Sequence, residues 1–184
     1  MKKIALLFLF FLVNLNIFSQ KKENFKPGVS LIEYKIMSDL TSQNSILFIF
    51  EGDTHLINFY LDLKENLVKR FKNSKVKVDF NYELFSKKPF KSDLSLIPKQ
   101  TSSKNNYDLI CSISLLNFKS FDEHLIKKRK QNYNLNLKFK EKKTNELINT
   151  AIINVNSFYT ITTQNKNLSK VIYNLISNSP QSYK

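Results

Sequence analysis

The sequence predicts a single α+β domain over residues 45–178, in which a mixed sheet of about five strands carries two main helices on one face. Three patterns support this prediction. A continuous apolar run at residues 46–50 is typical of a strand buried on both faces. Period-two alternation recurs in later segments, and two segments carry apolar residues at helical spacing. The expected order of elements is β-α-β-β-(short α)-β-β-α.

The first half of the domain is predicted to form a strand–helix–strand unit. Residues 46–50 are expected to be the central strand of the sheet, and Gly52 in the following turn is free to adopt a positive φ. Asp53 or Thr54 can cap a helix by accepting a backbone N–H. Alternation at residues 76–82 predicts the second strand, which such a connection normally places parallel to the first. Between these strands, the helical stripe over 55–72 includes Leu56, Tyr60, Leu63 and Leu67.

The second half is predicted to hold three more strands and a terminal helix. Alternation at 133–139, a turn at 141–146 and a return over 147–155 indicate a β-hairpin. Alternation within 107–116 indicates a strand whose apolar face carries Tyr107, Leu109, Cys111, Ile113 and Leu115. This face is expected to pack against the first helix. The terminal helix stops before Pro180 and presents Leu168, Val171, Ile172, Leu175 and Ile176.

Several segments have weaker patterns. Residues 29–40 fit a strand or a short helix equally well. At 117–131 the Ser120–Glu123 sequence has the form of a capping box, which favours a short helix, and an extension of the hairpin is the alternative. Residues 85–106 are rich in Lys, Ser and Asn and indicate a mobile surface loop. Residues 179–184 form a tail.

The first nineteen residues have the pattern of a secretory signal peptide. Lys2 and Lys3 precede ten apolar residues, and Asn14 ends this run well before the roughly 20 residues that a membrane-spanning helix needs. We expect cleavage to leave a chain that begins near Gln20, with no membrane span and with residues 20–44 as a partly disordered leader. No Cys lies near this point, so we expect no lipoprotein anchor. The expected location is periplasmic or secreted.

The composition excludes several classes of function. One Cys excludes an internal disulfide framework, and two Gly exclude the glycine-rich phosphate loops. We therefore expect a non-enzymatic protein without a cofactor or metal. The formal net charge is +14, but the basic residues are almost all Lys, and Lys, Asn, Ile, Phe and Tyr, which have AT-rich codons, make up about half of the chain. Because base recognition favours Arg, this charge does not indicate a nucleic-acid-binding protein.

Two groups of residues are candidates for a ligand or partner surface. Glu51, Asp53 and His55 follow the first strand, at the edge where open α/β sheets place ligands. The alternative is a capped, solvated turn. The other group is a basic run that, with the lysine pairs at 87–88 and 142–143, would attract an anionic polymer; it consists of Lys127, Lys128, Arg129 and Lys130. Cys111 is expected to be a packed core thiol.

The order of elements also resembles a known group of proteins. The run SILFIFEGD, the long helix, the strand NNYDLICSIS and a hairpin with Lys143-Thr144-Asn145-Glu146 in its turn are similar to the α/β domain shared by two kinds of protein. These are the amino-terminal domain of the Tol–Pal translocation protein and the outer-membrane activators of penicillin-binding proteins. The resemblance covers roughly residues 45–178 and implies a non-enzymatic adaptor. We therefore expect an envelope protein as partner, with an anionic envelope polymer or a small hydrolase activity as alternatives.

Overall fold

In the computed structural model, residues 28–85, 107–118 and 131–178 are described. The predicted signal peptide, the predicted leader up to residue 27, most of the predicted loop at 85–106, the segment at 119–130 and the predicted tail lie outside these residues. Within the described part of the chain, one mixed six-stranded sheet carries two α-helices. The α+β class is therefore confirmed, with one strand more than the sequence predicted.

The six strands are β1 (Val29–Ile36), β2 (Ser45–Asp53), β3 (Lys77–Phe85), β4 (Leu109–Leu116), β5 (Gln131–Glu141) and β6 (Leu147–Ser157). A short 3-10 turn (Thr54–Leu56) leads into α1 (Ile57–Phe71), and α2 (Ile161–Ser177) follows β6.

The spatial order of the strands is β1-β6-β5-β4-β2-β3. Strand β2 pairs in parallel with β3 and with β4, and the other pairs are antiparallel. The strand–helix–strand unit is thus confirmed. The expectation that residues 46–50 form the central strand is wrong, since β2 is second from one edge. The β5–β6 hairpin and β1 extend the sheet beyond β4, which leaves only β3 outside β2.

Strand β1 settles the assignment of residues 29–40, which the sequence left open. It pairs with β6, so that Val29 lies opposite Val155 and Ile36 opposite Asn149. A β-bulge between Leu31 and Glu33 shifts the register. The sheet therefore begins upstream of residue 45, where the sequence placed the start of the domain.

Both helices lie over one face of the sheet. Leu63 and Leu67 of α1 are fully buried in the same cluster as Leu109, Cys111 and Ile113 of β4. The apolar side chains of α2 belong to this cluster too and are Leu168, Val171, Ile172, Leu175 and Ile176. The predicted packing of the β4 face against the two helical stripes is confirmed.

Aromatic side chains fill the space between β2, β3 and α1. Phe48 stacks on Phe80 with ring centroids 5.4 Å apart, and Phe50 stacks on Tyr60 at 4.8 Å. Offset-stacked pairs at these separations add about 0.5 to 1.5 kcal/mol beyond the burial of their area. These contacts anchor α1 over the parallel strands.

The opposite face of the sheet holds a smaller apolar cluster. Leu47, Ile49 and Tyr107 are buried there, with Ile110 against them. Placing Tyr107 on the same face as Cys111 was therefore wrong, because Tyr107 precedes the first residue of β4 and does not follow its alternation. Its hydroxyl donates a hydrogen bond of 2.7 Å to Oδ2 of Asp79 on β3.

Two buried amide side chains tie the start of α2 to its neighbours. Gln164 donates through Nε2 to Oε1 of Gln131 (2.8 Å) and accepts through Oε1 from the Tyr133 hydroxyl (2.8 Å). Asn165 donates through Nδ2 to the Phe59 carbonyl (3.0 Å) and to Oδ2 of Asp62 (2.9 Å). Since buried polar groups are costly without partners, these bonds fix the position of α2 against α1 and β5.

The predicted hairpin is present as β5 and β6, joined by residues 142–146. Asn145 has φ of 56°. Asn is the residue type other than Gly that best tolerates this left-handed conformation. Asn145 therefore occupies the left-handed position at which hairpin turns often have Gly.

The assigned core predicts the effect of truncating α1. We expect Leu63→Ala to lower the free energy of unfolding by about 2 to 5 kcal/mol, because the buried side chain leaves a cavity. Val68 on the same helix is 44% exposed, so Val68→Ala should stay within about 0.5 kcal/mol of wild type. Chemical denaturation of both variants measures the difference. Equal losses for the two variants would show that the buried face of α1 is misassigned.

Candidate partner surface at the carboxyl edge of the sheet

The candidate residues that follow β2 lie at one end of the sheet. Strands β2, β3 and β4 finish there, since Asp53 lies opposite Phe85 and Glu51 opposite Ser114. Strand β5 begins and β6 ends at the same end, where Gln131 pairs with Ser157. We call this end, from Phe85 on β3 to the residues that follow β6, the carboxyl edge.

A tight turn carries the chain from β2 into α1. Gly52 has φ of 139°, and a Cβ at this position would lie 3.3 Å from Cδ1 of Leu56. Oδ1 of Asp53 accepts a hydrogen bond from the backbone N–H of His55 at 3.2 Å. The prediction that Asp53 is a cap is thus confirmed, although it caps the 3-10 turn that precedes α1.

Asp53 and His55 form a side-chain pair at the carboxyl edge. Nδ1 of His55 lies 2.8 Å from Oδ1 of Asp53, and the His55 ring stacks on Phe118 with centroids 6.3 Å apart. Partial desolvation acts to raise the pKa of Asp53, but the hydrogen bonds from the backbone and side chain of His55, together with its charge, outweigh it. The pKa of Asp53 is therefore below its usual range.

Glu51 is half-buried and lies close to two buried groups. Its carbonyl oxygen accepts a 2.7 Å hydrogen bond from the Tyr60 hydroxyl. Burial, with a further contribution from the Glu51 charge, raises the pKa of Cys111 well above its usual range. Cys111 has no exposed area, which confirms the packed core thiol, and its raised pKa disfavours the thiolate that a nucleophile needs.

Large apolar side chains are exposed along the carboxyl edge. Phe85 ends β3 and is 60% exposed, and Leu116 ends β4 and is 40% exposed. Phe158 and Tyr159 directly follow β6 and are 68% and 49% exposed. The sequence analysis did not predict that any of these four side chains is exposed. Two adjacent aromatics between the end of a strand and the N-cap Thr160 of α2 are the signal that would have found the last pair.

The His55 ring has two side-chain neighbours among the described residues. An imidazole held by a carboxylate can act as a general base, and nucleophilic catalysis by the protein would also need a hydroxyl or thiol within its hydrogen-bond reach. Among the described residues, His55 contacts Asp53 and Phe118, and neither supplies such a group. Within residues 28–85, 107–118 and 131–178, no three His, Cys, Asp or Glu side chains are grouped closely enough to hold a metal. None of the helices in these ranges is long and apolar enough to span a membrane.

Only one of the three groups of basic residues named in the sequence analysis lies in the described part of the chain. The run at 127–130 and the pair at 87–88 lie outside the described residues. Lys142 and Lys143 lie at the opposite end of the sheet, where they line a surface pocket of about 340 Å³ together with Asp108 and Glu141. Two carboxylates thus accompany the two ammonium groups. The structure therefore pairs Asp53 with His55, places Glu51 nearby on β2 beside Tyr60 and Cys111, and puts this lysine pair at the other end of the sheet.

Comparison with known proteins identifies the fold. No family model matches the sequence, and no sequence among the curated proteins matches it. The structure is similar to a PelC dodecamer from Paraburkholderia phytofirmans, with a TM-score of 0.51 and 8% identity over 82% of this chain and 99% of that chain. It is equally similar to a point variant of PelC, at a TM-score of 0.51 and 6% identity over 82% of this chain and 98% of that chain. At such low identity, this likeness shows a shared fold.

The lowered pKa of Asp53 predicts how stability depends on pH. A carboxylate whose pKa is lower in the folded state stabilises the fold above its unfolded pKa of about 3.9 and loses this effect as the pH falls through the folded value. Asp53→Asn should therefore be less stable than wild type at pH 7, and the difference should shrink toward pH 2. Denaturant midpoints at several pH values measure it. A difference that is the same at every pH would contradict the assigned role of the carboxylate.

Proposed function

We propose that the chain is an exported, non-catalytic domain of the bacterial envelope that binds another envelope protein through the carboxyl edge. The observation that carries this proposal is a set of exposed apolar residues at one end of the sheet. Two of them end the strands on either side of β2, near the Asp53–His55 pair, and the other two follow β6, which lies beyond β5. Exposed apolar patches with a polar border are typical of interaction sites. The group consists of Phe85, Leu116, Phe158 and Tyr159.

The composition of the carboxyl edge suits a protein partner. Aromatic residues are enriched in the centres of protein interfaces, and charged residues are usual at their rims. At the carboxyl edge, Phe158 and Tyr159 supply the aromatic surface, while Asp53 and His55 supply polar groups held in a fixed geometry by Phe118. A partner would bury the aromatic side chains and meet the polar pair at the border.

Two further observations support a binding role. The element order resembles that of envelope adaptor domains, as described above. The PelC structures with a similar fold are dodecamers, so this fold is used in protein–protein assembly in that case. Both observations favour a domain that works through contact with other proteins.

An anionic envelope polymer is the second candidate ligand. Lys142 and Lys143 line the pocket at the opposite end of the sheet, as a polymer-binding loop requires. Asp108 and Glu141 line the same pocket and offset this charge. The protein-binding proposal is therefore better supported.

The partner proposal predicts which variants lose binding. Phe158→Ser combined with Tyr159→Ser should abolish capture of specific proteins from envelope extracts of the native host, because it removes exposed aromatic area from the carboxyl edge. The matched control is Val68→Ser, which changes an exposed apolar residue on α1. Capture by wild type should persist in about 1 M salt, where the Debye length is about 3 Å.

Two results would refute the proposal. One is capture of the same proteins by the Phe158 and Tyr159 variant at wild-type level. The other is recovery of anionic polymer alone, released as the salt concentration rises, which would favour the Lys-rich loops.

Export is tested separately by mass spectrometry of the protein from its native host. We expect a mature chain that starts near Gln20, since the apolar run at residues 4–13 is too short to span a membrane and has the length of a signal-peptide core. An intact first segment, retained with the inner membrane, would contradict both the cleavage and the proposed location.

A further inference from the structure

Strand β1 is the outermost strand on the side of the sheet opposite β3. It begins beside the end of β6, at the carboxyl edge, and runs away from that end. In the described part of the chain, it pairs with β6 on one side, and no strand pairs with its other side. Two apolar side chains of β1 are exposed, Ile32 (54%) and Ile36 (38%). Met37, which directly follows the strand, is 67% exposed. Open strand edges carrying apolar side chains are templates for pairing with another strand.

The backbone of β1 has the alternation that such pairing requires. The N–H of Met37 donates to the carbonyl of Ile148 at 3.1 Å, so Met37 faces β6. In antiparallel pairs, alternate residues direct their backbone groups to opposite sides of the strand. Ile36 therefore directs its N–H and C=O away from β6, toward the open side.

The order of side chains in β1 is self-complementary. Residues 32–36 read Ile, Glu, Tyr, Lys, Ile. About Tyr34 the apolar residues are symmetric, and the charges at Glu33 and Lys35 are opposite. A two-fold symmetric contact uses the same patch on both subunits, so it requires this kind of sequence.

We propose that β1 pairs antiparallel with β1 of a second copy of this chain, about a two-fold axis at Tyr34, which joins the two sheets edge to edge. In this register Glu33 lies opposite Lys35 of the second copy, and the same contact occurs twice. Ile32, which lies in the bulge of β1, comes near Ile36 of the second copy at each end of this contact. Opposite charges and apolar pairs across neighbouring strands are both stabilising.

The charges also select this register over its neighbours. A shift of two residues in one direction would place Lys35 opposite Lys35 of the second copy, and a shift in the other direction would place Glu33 opposite Glu33. Like charges directly opposite each other are destabilising. Glu33 and Lys35 already lie 3.1 Å apart within β1, with side chains 44% and 74% exposed, so both are accessible to a second copy.

The bulge between Leu31 and Glu33 limits the length of the contact. A bulge bends the strand and disrupts the ladder locally, so regular pairing with a second copy stops at Ile32. The contact is therefore short, with regular pairing over residues 33–35. We expect an association that depends strongly on protein concentration rather than an obligate dimer.

Charge reversal provides the test. The chain from Gln20 onward, without the apolar segment at residues 4–13, is studied by sedimentation velocity at low salt, from about 1 μM to about 1 mM, which spans the affinities of small interfaces. Wild type should shift from monomer to dimer across this range. Glu33→Lys alone and Lys35→Glu alone should each weaken association by about tenfold or more, since each places like charges opposite each other twice. The matched control Lys138→Glu, which makes the same change at an exposed position in β5, should associate like wild type.

Mixing the two single variants makes the test specific. The mixture should dimerise like wild type, because each variant then faces opposite charges on the other. The double variant with both reversals should also dimerise, since it keeps the complementarity. Restored association in the mixture also shows that both single variants are folded.

Three outcomes would overturn the proposal. These are a wild-type chain that stays monomeric up to the highest concentration, single variants that associate as strongly as wild type, and a mixture that fails to recover. The β1 variants leave Phe158 and Tyr159 unchanged, so the capture experiment and the sedimentation experiment succeed or fail independently.

Discussion

The burial of one face of the sheet beneath α1 and α2 is the interaction on which the rest of the structure depends. Strands β2, β4, β5 and β6 all contribute side chains with no exposed area to this layer. Full burial of each large apolar side chain stabilises the fold by about 1.5 to 3 kcal/mol. Because α1 must return over the strands directly after β2, the chain has to turn sharply at Gly52. That turn is what brings Asp53 and His55 together at the carboxyl edge.

A helix or strand could be predicted from the sequence where its apolar residues recur at a regular spacing. Helix α1 and the β5–β6 hairpin bury one stripe or one face without interruption, so their periods are visible in the sequence. Strand β1 was ambiguous for a physical reason: its bulge makes Val29, Leu31, Tyr34 and Ile36 the residues that register with buried positions of β6. Spacings of two, three and two match neither a regular strand nor a helix.

The candidate site was predictable where local turn chemistry determines it. Gly52 and Asp53 indicate a turn with a cap, and the structure places His55 beside that cap. The exposed aromatics at the carboxyl edge were not predictable, because Phe158 and Tyr159 lie in a short connection where no periodicity assigns a side chain to core or surface. Their position at the carboxyl edge follows from the place of β6 in the sheet, and this depends on the pairing of β5 with β4 and β6.

The pairing of β1 with β6 also affects how the protein is made. Val29 belongs to the first strand to leave the ribosome, and its partner Val155 belongs to the last. Contacts between such distant segments form late, because a long loop must close first. Throughout synthesis, β1 is therefore a strand without its native neighbour. Any factor that binds β1 in the nascent chain must release it before the sheet can be completed.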